Sequence, residues 1–189
     1  MLTNGSTTYG SIAISLHWLM AILIFSMFAL GLWMVDLNYY HPWYHDAAEL
    51  HKSMGILLFL LLLFRFTWRF RNPIPKPLGK AWENSLASLV HRSHYLLLFA
   101  IAITGYFIPT ANGVGIDLFN LITIPATLSF SKTEVDLIGE LHQAIAWSIV
   151  ILALLHAGAA MKHHFIDKDA TLIRMLGCQC SQKSKQQGD

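Results

Sequence analysis

Residues 141–164 read LHQAIAWSIVILALLHAGAAMKHH, and no Asp, Glu, Lys or Arg lies between positions 141 and 161. An apolar run of this length predicts a membrane-spanning helix of about 20 residues. Inside it lie His142 and His156, which helical geometry places about 21 Å apart along the axis and within about 40° of one face. Because an ionisable side chain within a membrane helix is costly, both histidines are candidate functional residues.

The composition of the whole chain is that of an integral membrane protein. Of 189 residues, 54% are hydrophobic and 13% are charged, and the mean hydropathy is +0.48. The charged fraction is about half that of a soluble domain. Apolar runs predict four spans, at about residues 12–35, 48–69, 88–108 and 138–162. We therefore expect an all-α, up-down-up-down four-helix bundle over residues 1–176, followed by a polar tail at residues 177–189.

Local signals limit these helices. Pro42 interrupts the first connection, and the stretch RNPIPKPLGK at residues 71–80 cannot be helical. The third helix is predicted to end at Pro109, and residues 110–132 form a long, mildly apolar loop. Thr133, with Asp136 three residues later, is predicted to cap the fourth helix.

The distribution of Lys and Arg predicts how the helices are oriented. On one side of the predicted bundle there are two cations, Lys52 and Lys132, against seven acidic residues: Asp36, Asp46, Glu49, Asp117, Glu134, Asp136 and Glu140. The other side carries eleven cations: Arg65, Arg69, Arg71, Lys76, Lys80, Arg92, Lys162, Lys168, Arg174, Lys183 and Lys185. The positive-inside rule therefore predicts that both termini are cytoplasmic. Cys178 and Cys180, in the tail, are expected to be reduced and incidental.

Four histidines fall at two matched depths in this topology. His17 and His156 lie near the predicted cytoplasmic ends of spans one and four, and His51 and His142 lie near the outer ends of spans two and four. Two imidazoles that face each other, with no carboxylate or thiolate beside them, suit a haem iron better than a zinc site, which uses four ligands. Two axial histidines leave no open position for oxygen and favour electron transfer.

The neighbours of these histidines are candidate haem contacts. Gly55, one turn after His51, permits the close approach of a flat macrocycle, although glycine also serves helix packing in any bundle. Candidate partners for haem propionates are Lys52 on the outer side and Arg65, Arg69 or Lys162 on the inner side. Because the chain has no Cys-x-x-Cys-His, the haems are expected to be b-type.

The remaining histidines are open to more than one interpretation. His91 and His94 begin the third span, and they are either haem ligands, propionate contacts or quinone contacts, or simply interfacial residues. Those in loops or at the boundary are expected to be interfacial: His41, His45, His163 and His164.

Several short motifs occur in a fixed order along the chain: His17-Trp18, His51-x-x-x-Gly55, Arg65-Phe-Thr-Trp-Arg69, His91-x-x-x-Tyr95, Gly105, His142, His156 and KDATLIRM at residues 168–175. Together they resemble the bacterial di-haem cytochrome b561 family, over about residues 9–176. The resemblance implies two haem b groups, with His17 and His156 as axial ligands of one iron and His51 and His142 of the other. His91 matches a recurrent family histidine to which no iron role is assigned.

The resemblance also implies a function. The chain is similar to a superoxide oxidase, which takes an electron from superoxide on the periplasmic side and gives it to ubiquinone. We therefore expect a multi-pass protein of the bacterial inner membrane that exchanges electrons with ubiquinone, with superoxide or a periplasmic redox protein as donor. The acidic outer loops argue against electrostatic steering of superoxide, which is an anion.

Two other functions are compatible with a membrane bundle that carries histidines. The alternative in the same superfamily is a cytochrome b subunit that anchors a partner dehydrogenase or hydrogenase. A non-redox metal transporter is disfavoured because no intramembrane carboxylate accompanies the histidines. No nucleic-acid partner is expected.

Overall fold

The computed structural model describes residues 1–177, so Cys178 and Cys180 lie outside the described residues. The long helices are α1 (Ser11–Val35), α2 (Tyr44–Arg71), α3 (Ala81–Thr110) and α4 (Lys132–Phe165), followed by a short α5 (Thr171–Met175). Two strands, β1 (Ile116–Leu118) and β2 (Ile122–Ile124), lie between α3 and α4. Each of α1 to α4 is long and apolar enough to cross a membrane. The protein is a four-helix membrane bundle, whereas its orientation and the exact limits of the spans remain predictions.

The four long helices enclose a small apolar core. Helix α1 packs mainly against α2, and α3 packs mainly against α4. Every long helix contributes to the buried cluster: Met20, Leu62, Leu98, Ile145 and Ile149. Along α4, Ile145 and Ile149 lie between His142 and His156. The core therefore forms an apolar layer between two levels of histidine.

The ends of α3 and α4 differ from the predicted ones. Pro109 lies inside the last turn of α3, which continues to Thr110. The N-cap of α4 is Ser131 rather than Thr133: the Ser131 hydroxyl accepts from the Glu134 backbone N–H at 3.4 Å, and the Glu134 carboxylate accepts from the Ser131 backbone N–H at 2.8 Å. The sequence contains two overlapping capping boxes, and the one with the longer acidic side chain forms.

The loop before α4 contains an antiparallel hairpin that the sequence did not predict. Its register pairs Ile116 with Ile124 and Leu118 with Ile122. The turn uses two residues with positive φ, Phe119 at 50° and Asn120 at 58°. The hairpin docks on α2 through the buried Ser53, whose hydroxyl accepts from the Phe119 backbone N–H at 3.1 Å. This contact lies two residues after His51.

Candidate functional site

The outer pair consists of His51 on α2 and His142 on α4. Their ring centres are 6.4 Å apart and the ring planes are inclined by 69°. The Nδ1 atom of His142 lies 2.9 Å from the hydroxyl of Thr104 on α3. The Nδ1 atom of His51 is buried and has no hydrogen-bond partner within residues 1–177. Three helices therefore meet at the outer pair, and its two rings have different surroundings.

The inner pair consists of His17 on α1 and His156 on α4. Their ring centres are also 6.4 Å apart, with the ring planes inclined by 65°. The guanidinium of Arg65 donates to Nδ1 of His17 at 3.1 Å. The structure therefore brings together both of the pairs that the sequence predicted, one on each side of the apolar core.

The separation within each pair suits two imidazoles bound to one metal ion. A metal–imidazole bond is about 2.0–2.1 Å long, and two such bonds in line would place the ring centres about 6.3 Å apart. Both pairs are within about 0.1 Å of this value. In the part of the chain that the structure describes, none of these four histidines belongs to a group of three or more residues whose ligand atoms lie close enough together to hold one metal ion. A site with two protein ligands fits a haem iron, whose macrocycle supplies the others.

Two glycines allow other helices to approach the outer pair. A Cβ atom at Gly105 would lie 3.0 Å from Cε1 of His142, and a Cβ atom at Gly31 would lie 3.3 Å from Cε1 of His51. At Gly55, the glycine for which the sequence predicts a haem contact, a Cβ atom would meet only the methyl group of Met27, at 3.7 Å, in the described part of the chain. The glycines that touch the histidines are thus Gly31 and Gly105, while a contact between Gly55 and haem stays a prediction.

His91 and His94 both lie against the inner pair. Their ring centres are 5.3 Å and 5.8 Å from that of His156. The ring of His94 is fixed by a hydrogen bond of 2.9 Å between its Nδ1 and the carbonyl oxygen of Val90. The inner pair is therefore part of a larger imidazole cluster, whereas no further histidine ring contacts the outer pair within residues 1–177.

The cations proposed as propionate partners differ in what they contact. The Lys52 ammonium is paired with Glu49. Arg65 and Arg69 both lie near the ring of Tyr95, with guanidinium carbons 6.0 Å and 5.9 Å from its centre. Of these three, Arg65 is the one that contacts a histidine of either pair.

Lys162 belongs to a polar network that ties the end of α4 to α3. Its ammonium lies 2.8 Å from Glu83 and 2.7 Å from Asp167. The Nδ1 atom of His163 lies 3.0 Å from the carboxylate of Asp169. Partial burial raises the pKa of Asp169, but hydrogen bonds from Thr171 and the charge of His163 lower it more, so this pKa lies below its usual value. Because the Lys162 ammonium pairs with both Glu83 and Asp167, the network links the beginning of α3 to the end of α4 and the residues after it.

A profile of the family described as prokaryotic cytochrome b561 matches residues 8–177. The chain belongs to this family. Membership makes it a multi-pass bacterial membrane protein that transfers electrons and binds haem b. The matched region contains both histidine pairs and every neighbour described above.

Curated relatives match over nearly their whole lengths. "Cytochrome b561 homolog 2" of Escherichia coli (strain K12) is 51% identical over 177 residues, which cover 93% of this chain and 94% of that protein. "Probable superoxide oxidase CybB" of Yersinia pestis is 30% identical over 172 residues, covering 89% and 95%. "Cytochrome b561 homolog 1" of Escherichia coli (strain K12) is 28% identical over 169 residues, covering 86% and 93%.

Sequence reasoning missed two residues of the site. Thr104 is a threonine in an apolar helix, and its partner His142 is 38 positions away. Gly31 lies in the first span with no charged or histidine neighbour in the sequence. Gly105 had a signal, since it belongs to the motifs that carry the family resemblance, but the histidine it contacts was visible only in the structure.

Proposed function

We propose that this protein is a di-haem cytochrome of the bacterial inner membrane that carries electrons between the two faces of the bilayer. His51 and His142 would hold one haem b, and His17 and His156 the other. The observation that carries the proposal is the equal ring separation of 6.4 Å in both pairs. Bound haem supplies one-electron redox chemistry between ferric and ferrous iron.

The protein's own residues hold the two sites apart and keep water out. The buried side chains of Met20, Leu62 and Ile149 fill the interior between the pairs. His142 and His156 lie on one helix about 21 Å apart, which places one site near each end of the bundle. If two histidines of the protein bind each iron, neither iron would have a position open to oxygen, and the bound haems would supply electron transfer rather than oxygen chemistry.

Ubiquinone is the proposed electron partner, and superoxide is the proposed donor at the outer end. Support comes from the resemblance in sequence motifs and from the relative named as a probable superoxide oxidase. The orientation with both termini in the cytoplasm is supported by the excess of Lys and Arg at the inner end.

One observation favours a different donor, a basic periplasmic redox protein. The outer end exposes seven carboxylates, and one of its two cations, Lys52, is already paired with Glu49. The positive-inside rule explains why Lys and Arg are scarce there, but it does not explain why Asp and Glu are abundant. Acidic potential attracts a cationic protein and repels an anion.

The first experiment is a reduced-minus-oxidised absorption spectrum of the purified protein, with haem quantified per chain. We expect two low-spin b haems. One haem or none in well-folded protein would refute the di-haem proposal. Stopped-flow mixing with superoxide, and separately with a soluble ubiquinone analogue, would then identify the donor and the acceptor.

A further inference from the structure

The environment of Thr104 favours one tautomer of His142. Thr104 is 7% exposed, and its hydroxyl oxygen lies 3.1 Å from the Ala100 carbonyl oxygen and 3.0 Å from the Ile101 carbonyl oxygen. Carbonyl oxygens can only accept, so both contacts are satisfied when the single hydroxyl proton points to them. With the hydroxyl proton in this position, the oxygen presents a lone pair to Nδ1 of His142, 2.9 Å away, an arrangement that matches the tautomer protonated at Nδ1.

This tautomer leaves the other nitrogen of His142 free. With the proton on Nδ1, the lone pair of Nε2 is available to a metal, which binds neutral imidazole through an unprotonated nitrogen. Hydrogen bonding to the outer nitrogen of a metal-bound histidine fixes the tautomer, orients the ring and raises the basicity of the ligand.

The glycine next to Thr104 makes this contact possible. A Cβ atom at Gly105 would lie 3.0 Å from Cε1 and 3.6 Å from Nδ1 of His142. Any larger residue would push the ring away from the Thr104 hydroxyl. Thr104 and Gly105 together position the ring of His142, one by a hydrogen bond and the other by close contact. His51 differs, because it faces Gly31 and its Nδ1 has no hydrogen-bond partner within residues 1–177.

We propose that Thr104 is a positioning residue that sets the tautomer and orientation of His142 and thereby lowers the reduction potential of the outer haem. The inference rests on the proposed function, because it requires a haem held by the outer pair. A hydrogen bond that makes the imidazole more electron-rich stabilises oxidised iron more than reduced iron. Thr104 contributes this bond without touching the metal.

The test is a redox titration of wild-type protein and of Thr104→Val, which keeps the shape of the side chain and removes the hydroxyl. The titration step that disappears in His142→Ala identifies the outer haem. In Thr104→Val we expect the equilibrium of that haem to shift about fivefold toward the reduced form, the size expected for one hydrogen bond. For a one-electron couple this is an upward shift of about 40 mV. The potential of the inner haem should not change.

Two further variants separate the hydrogen bond from packing. Thr104→Ser restores the hydroxyl and should restore the wild-type potential. Thr110→Val is a matched control, because Thr110 is also buried on α3 and donates to the Tyr106 carbonyl oxygen at 2.7 Å, with no histidine partner among the described residues. If Thr104→Val does not accumulate in the membrane, Thr104→Ala, which adds no volume, replaces it.

The outcomes distinguish this inference from the proposed function. An unchanged outer potential in Thr104→Val, with both haems present, overturns the inference alone. So does an equal shift in Thr110→Val, or a failure of Thr104→Ser to restore the potential. Loss of the outer haem in Thr104→Val with recovery in Thr104→Ser supports it. Absence in wild-type protein of any haem that depends on His142 overturns both.

Discussion

The inner and outer pairs have the same ring separation but opposite hydrogen-bonding partners. In the tautomer that we propose, His142 of the outer pair donates from Nδ1 to the neutral hydroxyl of Thr104. His17 of the inner pair accepts at Nδ1 from Arg65, at 3.1 Å, because a guanidinium can only donate. The ring proton of a neutral His17 therefore lies on Nε2, whereas the proposed tautomer of His142 carries it on Nδ1. The backbone geometry sets the distance between the rings, and the neighbouring side chains set their chemistry.

Because of this difference, the two pairs need different rearrangements before their histidines can bind a haem iron. The outer pair presents a free Nε2 on His142 without rearrangement. At the inner pair, ligation through Nε2 of His17 requires Arg65 to leave Nδ1. The sequence suggested Arg65 as a partner for a haem propionate, and such a carboxylate would give the guanidinium a new acceptor. We therefore expect the two sites to differ both in haem affinity and in reduction potential.

The largest expected effect comes from removing a histidine of either pair. His51→Ala or His142→Ala should abolish the outer haem, and His17→Ala or His156→Ala the inner haem, so that haem content falls from two per chain to one. Pyridine haemochromogen analysis measures this directly. His41→Ala, in the connection between α1 and α2, is the control and should keep both. Four single variants that all retained two haems would rule out the assignment.

A second prediction concerns the close approach of α3 to the outer pair. Gly105→Ala places a methyl group 3.0 Å from Cε1 of His142, closer than ordinary van der Waals contact, so the ring must move. We expect outer-haem occupancy to fall by about half or more, given that overpacking costs about 1–3 kcal/mol. Haem content after purification is the measurement.

Gly139→Ala is the matched control for this variant. Gly139 lies on α4 three residues before His142, and a Cβ atom there meets nothing within 4 Å among residues 1–177. The substitution should leave both haems in place and slightly favour the helix. Equal loss of haem in the two variants would show that the effect comes from the helix rather than from contact with the ring.

The fold and both pairs could be predicted from the sequence because they depend on local and periodic features. Long apolar runs predicted the four membrane helices. The 14-residue spacing of His142 and His156 predicted that both lie on the same face of one helix, at two different depths in the membrane. In contrast, Thr104 could not be found, because contact with His142 depends on how α3 rotates against α4.

Two other features of the structure could not be predicted from the sequence. The choice of Gly31 rather than Gly55 as the neighbour of His51 also depends on helix rotation, here of α1 against α2. The hairpin could not be predicted because each of its strands has only three residues. Its turn is centred on Phe119-Asn120 and lacks the glycine that usually marks such turns.

A third prediction tests the electrostatic difference between the pairs. Replacing Arg65 with Gln removes a positive charge next to His17, and a nearby positive charge favours the reduced form of iron. The potential of the inner haem should fall by on the order of 50 mV, while that of the outer haem stays within error. Arg92→Gln, an exposed arginine at the same end of the bundle, is the control and should change neither potential. A shift confined to the outer haem would reverse the assignment of Arg65.

The smallest expected effect concerns the surroundings of the outer pair as a whole. The outer end exposes Asp36, Asp46, Glu49, Asp117, Glu134, Asp136 and Glu140, and this potential repels superoxide. Added salt screens repulsion, so any reaction with superoxide should speed up slightly, by less than about twofold between low and physiological ionic strength. Stopped-flow rates over this range are the measurement.

The reaction with an uncharged quinol analogue, followed in the same buffers, corrects for general effects of salt on the protein. Steep slowing of the superoxide reaction by salt would mean attraction, and therefore a positive entrance that the seven carboxylates do not suggest. Lys52, which is next to His51, would form such a positive entrance. The Lys52→Gln variant would then abolish the salt dependence. If the rate instead rises with salt while a basic redox protein reacts faster at low salt, the acidic end is adapted to a protein donor, because the same screening acts with opposite sign on the two reactions.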